Sequence, residues 1–230
     1  MNYKFLVITL LFLFFYGQNQ SQNSTCNGTR YVNEEFTNVK ETIGQLYGNN
    51  TTYNGVNKNL LMDIYEPDGD TATKRPVIVL AFPGAFIQGN RGDLYDICYF
   101  YAARGFVAVT IDYRLYDGPL FPIPSAAIIT DAAIKAMGDM KAAIRFLKQD
   151  AATINLYKID TNKVFVGGIS SGAITANAVA YIDSADKEDS ETNLALIANG
   201  GLKGNSSSNF QYSSSVFGVL SFSGAVFVSL

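Results

Sequence analysis

Five residues constrain this chain more than any others. Gly168–Ile169–Ser170–Ser171–Gly172 reads G-x-S-x-G, with the run Lys163–Val164–Phe165–Val166–Gly167 before it and the stretch Ala173 to Ala180 after it. A short apolar run of that kind makes a buried strand, and the alanine-rich stretch suits a helix. Strand, tight turn and helix in succession form a nucleophile elbow, which exposes a serine at the tip of a strained turn. Strand and helix must approach closely there, and Gly168 and Gly172 have no Cβ to obstruct them. The same turn aims the N–H of Ser171 at the space in front of Ser170, where it can stabilise a developing oxyanion. The plainer alternative is a serine in a turn that merely joins a strand to a helix. The flanking segments favour the catalytic reading.

The segments around this elbow predict an α/β domain. Leu60 to Tyr65 alternates as a strand and is stopped by Glu66–Pro67–Asp68–Gly69–Asp70. Apolar runs at 77–82, 106–111, 164–167 and 216–222 read as strands, the first of a kind buried on both faces in a parallel sheet. Asp93 can cap a helix running to about Arg104, and Ser125 to about Asp150 repeats apolar residues at helical spacing (Ile134, Met137, Ile144, Leu147). Such alternation predicts right-handed βαβ units in a three-layer α/β/α sandwich with a mainly parallel central sheet. Residues 25–59 are polar and read as loops with one or two edge strands. The acidic stretch from Asp183 to Glu191 and the Gly/Asn/Ser-rich stretch from Asn199 to Ser215 read as one long surface excursion. It is either functional or a solvated insertion.

The N-terminus is expected to lie outside the fold. Lys4, an apolar run from Phe5 to Tyr16 and a polar stretch from Gln18 to Gln22 form a secretory signal pattern over residues 1–22. The run is shorter than the roughly 20 residues that span a bilayer. Residues 23–230 then form one domain, secreted or otherwise extracytoplasmic. In that setting Cys26 and Cys98 either pair or leave Cys98 as a buried free thiol. Asn23, Asn27, Asn49, Asn50 and Asn205 each begin a glycosylation-type triplet. With a formal charge of −3 and 16% charged residues, the chain lacks the basic surplus that would suggest nucleic acid or an anionic membrane. No cofactor or metal is expected.

Taken in order, these segments resemble secreted α/β-hydrolase esterases of the carboxylesterase and feruloyl-esterase-like type. The resemblance is carried by Leu61 to Pro67, Phe82–Pro83–Gly84–Ala85–Phe86–Ile87–Gln88–Gly89, Asp112–Tyr113–Arg114–Leu115, Gly167 to Ala173 and Ser223–Gly224–Ala225. That family reads H-G-G-[GA]-F in the loop at Phe82 to Phe86, and its last two small residues donate N–H groups to the oxyanion. The resemblance therefore implies that Gly84 and Ala85 act beside Ser171. Phe82 replaces the family's histidine and Pro83 its first glycine. It further implies a serine hydrolase acting through an acyl-enzyme on carboxylic esters. Small neutral or aromatic esters, such as acyl groups on plant polysaccharide, are the expected substrates, with peptides as the alternative.

One departure is severe: the 230 residues contain no histidine. A serine hydroxyl needs an adjacent base, and in this fold acid and base follow the serine in chain order. Asp63, Asp112 and Asp139 all precede Ser170 and are expected to cap, turn or form ion pairs. The expectation is a C-terminally incomplete esterase that is inactive as it stands. The alternative is a non-catalytic binding or adhesion protein on a hydrolase scaffold.

Overall fold

The computed structural model describes residues 28–186, 189–207 and 209–225. The signal-like segment, Cys26, the triplets at Asn23 and Asn27, and the last five residues lie outside them.

Six strands form one sheet in the order β1-β2-β4-β3-β5-β6. They are β1 (Val39–Thr51), β2 (Asn57–Pro67), β3 (Arg75–Ala81), β4 (Val107–Ile111), β5 (Ile159–Ile169) and β6 (Gly218–Phe222). The helices are α1 (Tyr95–Ala102), α2 (Ala126–Ala152), α3 (Ser171–Tyr181) and α4 (Ser190–Ala198). β1, β2 and β4 pair antiparallel, whereas β4, β3, β5 and β6 run parallel. β3, β4 and the Val164–Val166 stretch of β5 are buried apolar runs that need helices on both faces.

Strand order places those helices. The step from β3 through α1 to β4 moves towards β2, while the step from β4 through α2 to β5 moves the opposite way. Right-handed crossovers in opposite directions put α1 on one face and α2 and α3 on the other. The reversal leaves a crevice at the C-terminal ends of β3 and β5, where open α/β sheets bind their ligands.

Several sequence expectations change in detail. The polar 25–59 region holds one 13-residue edge strand, β1, joined to β2 by a short turn with Gly55 at φ +78°. Period-2 alternation is weak there because most β1 side chains stay at least partly exposed. Asp93 is not the cap before α1. Asn90 caps a short 3-10 turn at Arg91–Leu94, and Asp93 answers from three residues on in a capping box. β5 begins at Ile159, earlier than its apolar run. The described residues of the excursion at 183–215 include α4 and a 3-10 turn at Gly201–Lys203, both of which pack on α2. Cys98 is wholly buried in α1, and burial pushes its thiol pKa up. Asn50 Nδ2 donates to Asn205 Oδ1 at 2.5 Å, so two of the glycosylation-type triplets meet on this surface.

Candidate active site

Ser170 sits between the end of β5 and the start of α3 with φ +52° and ψ −118°. A non-glycine residue there costs on the order of 1–3 kcal/mol and persists only where its surroundings force it. Here they do. The N–H of Ser170 donates to Phe222 O on β6 at 2.9 Å, and its carbonyl accepts from Ile174 N at 2.9 Å to begin α3. The two glycines are fixed by the neighbouring strand. A Cβ on Gly172 would lie 2.0 Å from Ala81 O, and one on Gly168 would lie 2.5 Å from the same atom. Ser170 itself is exposed, while Ser171 is buried as the first residue of α3. An N–H at a helix's first turn has no intrahelical acceptor and carries the positive end of the dipole.

The loop after β3 meets this elbow because Ala81, the last residue of β3, is in register with Gly168. Gly84, Ala85 and Phe86 all take positive φ (+138°, +53° and +62°). Ile87 and Gln88 donate their N–H groups to Gly84 O at 2.9 and 3.1 Å. A Cβ at Gly84 would fall 1.9 Å from Gln88 O, so the turn closes only around glycine. Among the described residues the N–H groups of Gly84, Ala85 and Ser171 have no protein acceptor outside these turns. The turn leaves donors of the type that an oxyanion requires.

Tyr113, which lies in the Asp112–Tyr113–Arg114–Leu115 segment after β4, joins loop to elbow. Its hydroxyl donates to Phe82 O at 2.8 Å and lies 3.3 Å from Ser171 Oγ, and its ring stacks on Phe82 with centroids 4.3 Å apart. Burial pushes its phenol pKa up to about 12, so it stays protonated and a donor at ordinary pH. Phe82, where the family pattern has histidine, therefore serves as packing. A Cβ on Gly89 would touch its ring at 2.5 Å.

The earlier carboxylates are held in ion pairs. Arg91 bridges Asp63 at 2.7 Å and Asp112 at 2.8 Å, and Asp139 pairs with the buried Arg114 at 2.9 Å. Among the described residues no acidic side chain hydrogen-bonds Ser170, and no group of His, Cys, Asp and Glu is disposed to hold a metal. No described helix is long and apolar enough to cross a membrane.

The sequence matches the BD-FAE family model across residues 62–227. The chain belongs to the BD-FAE family. No curated protein matches it. Among solved structures, the native form of Est2, a thermophilic esterase from Thermogutta terrifontis, is similar at 23% identity and a TM-score of 0.53, covering 80% of this chain and 52% of that one. The apo form of Thermogutta terrifontis esterase 2 is similar at 25% identity and a TM-score of 0.54, covering 82% and 57%. The same esterase phosphorylated by paraoxon is similar at 23% identity and a TM-score of 0.53, covering 80% and 57%. This BD-FAE chain thus spans little more than half the length of the esterase structures it matches, and it shares their α/β-hydrolase fold.

Proposed function

We propose that this BD-FAE chain carries the nucleophilic half of a serine carboxylic ester hydrolase. Ser170 gives its proton to a base and attacks the ester carbonyl, the Gly84, Ala85 and Ser171 N–H groups hold the oxyanion, and the alcohol leaves with a proton to give the acyl-enzyme. The single observation that carries the reading is Ser170 at φ +52°, held there by Phe222 and by the glycine contacts at Ala81. Such strain in a non-glycine residue at a crevice is kept where it serves a purpose. The acid and base would come from outside these 230 residues, which contain no histidine. The esterase structures, roughly twice as long as the part this chain covers, leave room for both. Export through residues 1–22 and action on small neutral or aromatic esters, free or linked to polysaccharide, complete the proposal.

The test treats residues 23–230 with a fluorophosphonate probe beside a Ser170→Ala control. Without a base, only about 10³–10⁴ of catalysis over water remains from oxyanion hole and binding, so slow or absent labelling is expected. A longer form carrying a downstream acid and histidine should label rapidly at Ser170 and cleave nitrophenyl esters faster than dipeptide amides. Rapid labelling of the 23–230 form would mean that another group activates Ser170. Failure of the longer form to label would overturn the esterase reading and favour a binding protein on this scaffold.

A further inference from the structure

On α2, Lys141, Arg145 and Lys148 follow one another at i, i+4 and i+7, which puts them on one helix face. All three side chains are buried. Lys141 Nζ donates to Leu202 O at 2.8 Å, Arg145 Nη1 to Lys203 O at 2.9 Å, and Lys148 Nζ to Ser215 O at 2.7 Å. Arg145 also bonds Ser207 Oγ through Nε and Nη2 at 3.3 and 3.0 Å. Every one of these partners is neutral. Among the described residues no carboxylate pairs with any of the three, and Asp150, the next acid along the helix, is occupied by the N–H groups of Leu156 and Tyr157. Burial lowers the pKa of each cation, with Arg145 adding repulsion at Lys141. Three desolvated positive charges without a counter-charge are a costly arrangement, since even one unpaired buried ion costs several kcal/mol.

Beside them lies a pocket of about 340 Å³ lined by Arg145, Lys203, Phe210, Tyr212, Ser214 and Ser215, among others. A guanidinium has five N–H donors, and three hydrogen bonds engage Arg145, leaving one N–H on each Nη without a partner among the described residues. The Phe210 ring lies 5.0 Å from the Arg145 guanidinium carbon and is partly exposed. We infer that this pocket binds a carboxylate-bearing ring compound, its carboxylate against Arg145 and Lys203 and its ring against Phe210. The two remaining guanidinium donors, with the Lys203 ammonium, suit a carboxylate through charge-assisted hydrogen bonds. α2 starts at the C-terminal edge of the sheet and ends where β5 begins, so Arg145 lies towards the edge opposite Ser170. The pocket is a second site, independent of the esterase reading.

The test follows thermal unfolding of the 230-residue chain at fixed ionic strength with sodium benzoate, sodium glucuronate, acetate, sulfate or chloride. Benzoate or glucuronate should raise Tm by several degrees where chloride does not, and which of them does more separates an aromatic acid from a sugar acid. Lys203→Gln, an exposed position, should weaken that ligand about three- to five-fold, in line with an exposed charge contact. Arg145→Gln should abolish the shift. A shift no larger than that with chloride, or one unchanged in Lys203→Gln, overturns the site. Acetate equal to both ring acids overturns the Phe210 contact, and a larger shift with sulfate overturns the carboxylate assignment.

Discussion

Two sets of buried charge sit within three turns of each other on α2 and are handled in opposite ways. Asp139 faces Arg114, and the pair is closed on every side. Arg114 also donates to Thr51 O, Lys135 O and Ser206 Oγ, while Ser206 hydrogen-bonds Asp139 in turn. Just beyond Asp139, Lys141 and then Arg145 and Lys148 hydrogen-bond only carbonyls and hydroxyls. The first set ties α2 to β1, to the end of β4 and to the 199–215 segment as a neutral unit. The second ties the same segment down with net positive charge left over. A buried ion costs little when its counter-charge is buried with it and its remaining donors are satisfied. The difference separates a finished joint from one that still has electrostatic energy to release.

The hardest way to break the comparison is to remove the counter-charge from the closed set. Asp139→Ala leaves Arg114 buried and unpaired and should destabilise the chain by about 3–5 kcal/mol in urea unfolding. A loss below about 1 kcal/mol would show that the two sets are not different in kind. The open set should respond to pH instead. Lys141 is pushed down to about 8 by burial and by Arg145, from an ordinary value of 10.5. Between those values the unfolded chain holds a proton that the folded chain has shed, so stability rises with pH across that window. Below pH 8 both states are protonated and the full penalty remains. Relative to Lys141→Met, the wild type should therefore gain up to about 3 kcal/mol between pH 8 and 10.5. A flat difference curve would mean that Lys141 is not desolvated. The smallest effect is expected at an uncharged tie, Tyr113→Phe. It removes the hydrogen bond to Phe82 O and the contact with Ser171 Oγ, and should cost about 1–2 kcal/mol, with the fold otherwise unchanged.

The elbow and the parallel strands were legible because each is a local pattern. G-x-S-x-G between an apolar run and an alanine-rich stretch carries its own context, and Gly168 and Gly172 announce a contact that Ala81 then supplies. β1 was only partly legible because an exposed edge strand has little alternation to read. The excursion after α3 read as loop because its order comes from α2: the bonds that hold it run from Lys141, Arg145 and Lys148 to backbone carbonyls, which no sequence spacing announces. The cations themselves stand at helical spacing in the sequence, but spacing alone does not say what faces them. Phe82 and Tyr113 needed the sheet order, since β3 and β4 must be neighbours before their ends can meet.

The bond from Ser170 N–H to Phe222 O also has a temporal meaning. Phe222 leaves the ribosome about fifty residues after Ser170, some seconds later at 5–20 residues per second. Until β6 docks beside β5, the strained backbone at Ser170 is held only by the packing of Gly168 and Gly172 on Ala81 and by the start of α3. A nascent chain therefore makes the serine before it makes the last of its supports, which the final described strand supplies.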